Sequence, residues 1–315
     1  MKRRIKKRTL MLMSVLFLLG LGVLFSLVTF DRLGTESEAL IELSVIVRDS
    51  DSGLWTASRY GMEQAAADYG AELRFLTLTT SNSSDSQQTL LEREVSNGAD
   101  AIVLVPADPI AIGESVRAAS ASASIVTMES DMSDYGASAC ICVDGAELSR
   151  AIGASVIEGT LDGDSVIITY SSQANFQSQL RVTETAATLR ENGRRVTLCS
   201  VERIGMYLNF SPPDAVIALD SAALERVAQL VINREERPKI YGTGATSDIV
   251  HYLEIGIIEV IAAKNEYAAG YLAVQTAVQK ARHEKTEPID YLPFYLITYE
   301  TMYEPDNQKL LFPVS

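Results

Sequence analysis

The chain has 315 residues, 47% of them hydrophobic, and a formal charge of −14. That length allows one large or two medium domains with real cores. Without residues 1–30 the balance is 21 Lys and Arg against 41 Asp and Glu, a net −20, which excludes nucleic acid as a partner because that surface must be basic.

The first element is a membrane segment. Lys2, Arg3, Arg4, Lys6, Lys7 and Arg8 precede Thr9–Phe30, 22 residues without a charge. As a helix at 1.5 Å per residue the run is about 33 Å long, enough to cross the hydrocarbon. The cations stay on the cytoplasmic side, so residue 31 onward is extracytoplasmic. Signal-peptide cores are shorter, about 7–15 residues. No small-x-small site directly follows Phe30, and the three cysteines (Cys140, Cys142, Cys199) lie too far on to accept a lipid. The reading is a single-pass anchor. The alternative is a cleaved signal that leaves a secreted or periplasmic protein. Residues 31–42 form an acidic linker.

Strands and helices then alternate. Leu43–Arg48 is a strand and Ala57–Tyr69 a helix ended by Gly70. Glu72–Leu78 is a strand, Gln87–Ser96 a helix capped by the polar loop before it, and Ala99–Asp108 a buried strand with a turn at its end. Helix Ile110–Ser120 and strand Ser124–Met128 complete the first unit. The pattern restarts with strand Ala139–Val143, helix Leu148–Glu158, strand Ser165–Thr169, helix Gln179–Glu191 and strand Arg195–Ser200. Strand Asp214–Asp220, helix Ala222–Asn233, strand Lys239–Gly242, helix Ser247–Gly256 and strand Ile258–Ala262 follow. Helix Tyr267–Arg282 and strand Tyr291–Thr298 end the series. Apolar strands alternating with helices predict an α/β fold of parallel sheets covered on both faces, in two units of about 120 residues each.

Ligands of such sheets sit outside the carboxyl ends of the strands. The polar or aromatic residues there are Asp49 to Trp55, including Asp51, then Asp108, Glu129-Ser130-Asp131, Tyr170 to Gln179, Asp220-Ser221, Gly242 to Ser247 and Lys264-Asn265-Glu266. They come from both units and converge only if the units face each other. Trp55, the sole Trp, is either a plate for a flat ligand or a plug in the core.

Catalytic chemistry is thinly supplied. His251 lies within a helix and His283 in a charged helix end, so neither follows a strand, and no G-x-S-x-G elbow occurs. Glu129, Asp131 and Asp220 could hold a hard cation or share acid–base work, or could simply accept hydrogen bonds. Gly242-x-Gly244 lacks the third glycine of a dinucleotide fingerprint and reads as a strand-to-helix turn. No P-loop and no Cys or His metal cluster is present, so no cofactor and no metal are expected. What remains is reversible capture of a small polar ligand.

The stretch "LSVIVRDSDSGLWTASRYGMEQAAADYGAELRFL", then "NGADAIVLVPADP", then "SIVTMESD" resembles the type 1 periplasmic solute-binding proteins and the effector domains of lactose-repressor-like regulators. The similarity spans nearly everything from residue 43 to the end. It implies two lobes joined by three crossings, near Val143-Asp144, Lys264-Asn265 and Pro293–Leu296. One lobe would be residues 43–143 plus 265–294, the other 144–264 plus 295–315.

The resemblance also implies a binding site. The family's stacking aromatic falls at Leu54-Trp55, with Ser52 beside it, and its Asp-Arg pair at Glu129-Ser130. A helix-opening Arg falls at Gln179, and a second Arg is matched by Arg181. An Asn falls at Asp220, an Asp at Gly244 and a hinge Gln at Lys264. Two Arg and one Asp of the sugar sites are thus replaced. The function implied is a sugar or sugar-like receptor for an ABC-type importer. The alternatives are an anchored sensor that presents its ligand to a two-component histidine kinase and, remotely, an enzyme on the same scaffold.

Overall fold

The computed structural model describes residues 40–49, 55–170 and 176–312, with 176–180 described by backbone alone. Residues 1–30, read as an anchor, and most of the linker lie outside the described residues. Among the described residues no helix is long and apolar enough to cross a membrane.

Two six-stranded sheets form among the described residues. The first has the order β11-β5-β4-β3-β1-β2, from β1 (Ile41–Ile46), β2 (Ala71–Leu76), β3 (Ala101–Leu104), β4 (Ser124–Met128), β5 (Ala139–Cys142) and β11 (Ile289–Tyr291). Every neighbouring pair is parallel. The second has the order β12-β10-β9-β8-β6-β7, from β6 (Ser165–Tyr170), β7 (Arg195–Ser200), β8 (Ala215–Ala218), β9 (Lys239–Thr243), β10 (Val260–Lys264) and β12 (Phe294–Thr298). Only β12 runs antiparallel, against β10. This is the two-lobed α/β architecture expected from the sequence.

Side chains alternate across a strand, so each central strand feeds two cores. In the first sheet Val45, Val103 and Val126 face one apolar cluster, while Ile46, Ile102, Leu104 and Ile125 face the other. The second sheet divides likewise, with Val216 and Ile240 on one side and Val166, Ile168 and Ile217 on the other. The edge strand β2, Ala-Glu-Leu-Arg-Phe-Leu, is only half-buried.

Parallel strands require long crossovers, and helices supply them: α1 (Thr56–Tyr69), α2 (Ser84–Ser96), α3 (Gly113–Ala119), α4 (Gly145–Gly159), α5 (Phe176–Glu191), α6 (Val201–Phe210), α7 (Ser221–Val231), α8 (Ser247–Glu254) and α9 (Glu266–Ala281), with α10 (Pro305–Leu311) last. Side-chain oxygens of Ser83, Asp144, Asp220, Thr246 and Asn265 accept first-turn N–H bonds. These caps satisfy donors that the helix itself leaves open.

The chain changes sheet three times: after β5, after β10 and between β11 and β12. The one strand expected over 291–298 is two strands in different sheets. Pro293, which has no N–H and a fixed φ, stands between them. Two helices, α6 and α10, were not anticipated. The buried pair Ile204 and Leu208 of α6 is too short a pattern to stand out, and Gly205 interrupts it. All three cysteines are buried free thiols.

After β10 the chain returns to the first sheet as α9, which lies against α1. Their backbones nearly touch. A Cβ on Gly61 would sit 2.0 Å from the Tyr267 carbonyl oxygen, and one on Gly270 would sit 1.9 Å from that of Ser58. Gly61→Ala and Gly270→Ala should therefore each cost about 1–3 kcal/mol. Gly205→Ala, where the added methyl meets nothing within 4 Å, should gain up to about 1 kcal/mol. Urea unfolding midpoints check the contrast; equal effects at all three positions would contradict the close crossing.

Candidate functional site

A strand buried on both faces is apolar along its length, so the first charges appear where it leaves the sheet. Arg48 and Asp49 follow β1, Glu129 follows β4, Asp220 follows β8, and Lys264 ends β10. Arg181 lies on α5 and Glu266 opens α9. Arg48, Glu129, Arg181, Asp220, Gly244, Lys264 and Glu266 line one cavity of about 160 Å³. Val143, Leu148, Leu219, Ala262 and Phe294 supply its apolar wall.

Glu129 is the centre of the polar side. Its Oε2 accepts from Arg48 Nη1 at 2.6 Å and its Oε1 from Lys264 Nζ at 3.2 Å. Lys264 belongs to the second sheet and Glu129 to the first, so this carboxylate joins the two. Lys264 Nζ also lies 3.4 Å from Glu266 Oε2, which accepts from the Ser58 hydroxyl at 3.1 Å.

The side chains of Arg48, Glu129 and Lys264 are 17%, 23% and 19% exposed. Burial alone would raise the Glu129 carboxyl, but Arg48, Lys264 and Arg181 outweigh it and hold the pKa well below the usual range. Burial would likewise lower Arg48 and Lys264, and their carboxylate neighbours raise both instead. Arg181 is lowered by burial, with Glu129 opposing and Arg48 adding to the shift. Glu129 also holds φ at +67°, a left-handed conformation that costs a non-glycine residue about 1–3 kcal/mol and is kept where the surroundings fix it. Its N–H donates to the Ile141 carbonyl at 2.9 Å.

Two strand-to-helix turns complete the lining, at Asp220 and Gly244. Asp220 Oδ1 caps α7 through the Ala223 N–H at 2.9 Å. Gly244 has φ +129°, and a Cβ there would come within 2.3 Å of Ser221 Oγ, so only glycine lets the loop pass. Arg181 Nη2 approaches the Leu219 carbonyl oxygen at 3.5 Å.

Of the residues proposed from sequence, Glu129, Arg181, Asp220, Gly244 and Lys264 share the cavity. Trp55 lies elsewhere: it is 5% exposed among Met62, Ala65, Met128 and Ala269 in the first sheet's core. Its Nε1 donates to Asp49 at 2.8 Å, and the Arg48 guanidinium carbon lies 5.4 Å from its ring centroid. The plate is thus under an arginine. Asp108 accepts from the N–H groups of Ile110 and Ala111 and lies outside the cavity lining. Ser130 is buried, with its N–H on the Met128 carbonyl. Asp131 is engaged by Ser133. Gln179 lies on α5, where the backbone alone is described, and Asp51, Ser52 and Leu54 lie outside the described residues.

Sequence reasoning missed Arg48 as a site residue. It was counted as the last residue of the strand, whereas β1 ends at Ile46 and Arg48 is the first charge beyond it. Among the described residues, no cluster of three or more His, Cys, Asp or Glu could hold a metal.

The model of a family described as periplasmic binding protein domain matches residues 43–285. A comparison with curated proteins gave no match. Among solved structures, a carbohydrate transporter solute binding protein from Agrobacterium radiobacter, in complex with D-arabinose, is 22% identical with a TM-score of 0.79, over 87% of this chain and 100% of that one. GanP, a glucose-galactose binding protein from Geobacillus stearothermophilus, is 18% identical with a TM-score of 0.76, over 84% and 100%. A chain of the XylFII-LytSN complex is 17% identical with a TM-score of 0.75, over 83% and 98%. At these identities the likeness is one of fold.

Two substitutions separate core from site. Trp55→Ala should cost about 3–5 kcal/mol of stability, as for other buried large-to-small changes; little loss of stability on denaturation would contradict its burial. Glu129→Gln should cost about 3 kcal/mol at neutral pH, since two buried cations lose their counter-ion. The folded-state pKa of Glu129 is depressed, so its contribution is present above the unfolded value, about 4.3, and fades as pH falls below it. The stability curves of the parent and Glu129→Gln should converge in acid; a gap independent of pH would contradict the ion pair.

Proposed function

Because the chain belongs to the periplasmic binding protein domain family, we propose that it is an extracytoplasmic receptor that captures a small polar, sugar-like ligand and hands it to an ABC-type importer. One observation carries this reading: a cavity at the carboxyl ends of strands from both sheets, charged on one side and apolar on the other. Such a wall suits a ring with polar edges and an apolar face. The family and the similar solved structures are binding proteins, in keeping with capture rather than turnover.

The lobes divide near residues 143, 264 and 293, so that Phe294, the first residue of β12, goes with the second sheet. They close by hinge motion at the three crossings, and Lys264 lies at one of them. Residues 9–30 hold the receptor to the membrane with the N-terminal cations inside. A second reading is favoured by that anchor and by the likeness to a chain found in complex with another protein, XylFII-LytSN. In it the anchored receptor presents its ligand to a membrane sensor kinase.

Full-length protein purified from membranes should release a small polar molecule on denaturation, identified by mass spectrometry. Lys264→Ala should weaken its binding about tenfold or more, the effect of losing a charged hydrogen-bond partner. An unchanged affinity would place the ligand elsewhere. Crosslinking in intact cells then separates the two readings, by capture of a permease or of a histidine kinase.

A further inference from the structure

An edge strand leaves a row of its backbone groups without a strand partner. On β2 the edge is guarded by charge: Arg74 pairs with Glu94 at 2.8 Å, and the Arg59 guanidinium carbon lies 5.1 Å from the Phe75 ring centroid. β7, the last strand of the second sheet, differs. Its six residues, Arg-Val-Thr-Leu-Cys-Ser, hold no proline and stay in register with β6 throughout. The Arg195 N–H donates to the Asp164 carbonyl at 2.8 Å, so Arg195, Thr197 and Cys199 turn their backbone groups toward β6. Those of Val196 and Leu198, with the Ser200 N–H, point outward. Among the described residues they meet one partner, Arg190, whose Nη2 donates to the Val196 carbonyl at 3.4 Å.

The helix that follows is apolar on its outer flank. α6 buries Ile204 and Leu208, and its Asn209 accepts from Arg234, just beyond α7. At 3.6 residues per turn, Arg203, Tyr207 and Phe210 fall on the flank opposite Asn209, which looks out past β7. Phe210 is 85% exposed, Met206 48% and Leu198 41%. Leu198 shares a sheet face with Val196, whereas α6 covers the face of Cys199. Exposed apolar groups therefore lie on both sides of the open edge.

We propose that β7 and α6 form the interface of a homodimer, in which β7 pairs antiparallel with β7 of a second copy about a two-fold axis at Leu198. A second copy fits because the edge is complementary to itself. Leu198 exchanges both N–H···O bonds with its mate, and Ser200 donates across the axis to the Val196 carbonyl in place of Arg190. The two Leu198 side chains meet on one face. On the other face, Leu198 lies about 7 Å below the end of its strand, the length of about four to five helical residues. The axis thus passes near Met206, the two α6 helices run antiparallel, and Phe210 of one copy meets Arg203 of the other. Arg59 makes the same kind of contact with Phe75. Arg195, just past the pairing, comes beside the Val201-Glu202 start of the other α6, so opposite charges meet there. Six residues of β7 and ten of α6 are fewer than the about 20–30 a side of a standard interface. The dimer is a weak one, which covalent trapping reads better than dilution does. It does not depend on what the cavity binds.

The test is cysteine crosslinking of the full-length chain in membranes, with copper–phenanthroline as catalyst and oxygen taking up the two electrons and two protons released as two thiols become a disulfide. A hydrogen-bonded antiparallel pair has Cα atoms about 5.5 Å apart, within the span of a disulfide, so Leu198→Cys should give a dimer band that reductant removes. Proximity should make it form at least about tenfold faster than the band from Ile110→Cys, an exposed position in the first lobe. Adding Phe210→Asp to Leu198→Cys should bring the rate down to that control. The parent, whose three thiols are buried, supplies the blank. A Leu198→Cys rate no higher than the control, or one that Phe210→Asp leaves unchanged, overturns the proposal. All three positions are exposed, and equal thermal midpoints for the variants keep misfolding out of the comparison.

Discussion

One carboxylate, that of Glu129, is shared by Arg48 from the same sheet and Lys264 from the other. Removing three charged groups from water is costly, and attraction repays the cost only where geometry is good and the remaining bonds are made. Here a 2.6 Å contact to an arginine and a 3.2 Å contact to a lysine satisfy both oxygens. The arrangement also needs Glu129 to hold a left-handed backbone at the end of β4, which points to a position kept for its side chain's placement. The cavity's three cations, Arg48, Lys264 and Arg181, are arranged around this anion.

The apolar architecture brings those groups together. Strands buried on two faces cannot carry charge until they end, so parallel strands place their first charges along a common rim. Two such rims meet because the chain changes sheet three times; within the first lobe, α9 is seated on α1 through Gly61 and Gly270. The same strand-end rule puts Asp220 where it both caps α7 and lines the cavity. Specificity then resides in a few side chains at the rims, while the scaffold is set by the valines and isoleucines behind them.

The fold was legible because long apolar runs alternate with helices and carry their own stops. Gly70, with φ +66°, ends α1 as read, and Asn97-Gly98 ends α2. What escaped was short or set by distant contacts. α6 shows barely two turns of periodicity, and the division at Pro293 depends on two sheets competing for adjacent residues. At the site, Glu129, Asp220 and Lys264 were visible as charges after strands. Arg48 was not singled out because it reads as the last residue of the strand, whereas one residue, Val47, separates it from the end of β1. The partition of Trp55 between plate and plug could not be read from its position, since both roles belong at a strand-to-helix joint. Its burial and the arginine over its ring come from packing.

The account turns on Glu129 and Lys264 acting together across the two sheets, which a double-mutant cycle measures directly. Unfolding free energies are needed for Glu129→Gln, Lys264→Met and the double variant. The account predicts a coupling above about 1 kcal/mol, with the double variant more stable than the sum of the single losses implies. Additive losses would mean that the two side chains do not interact in solution, and the cavity as described would have no centre.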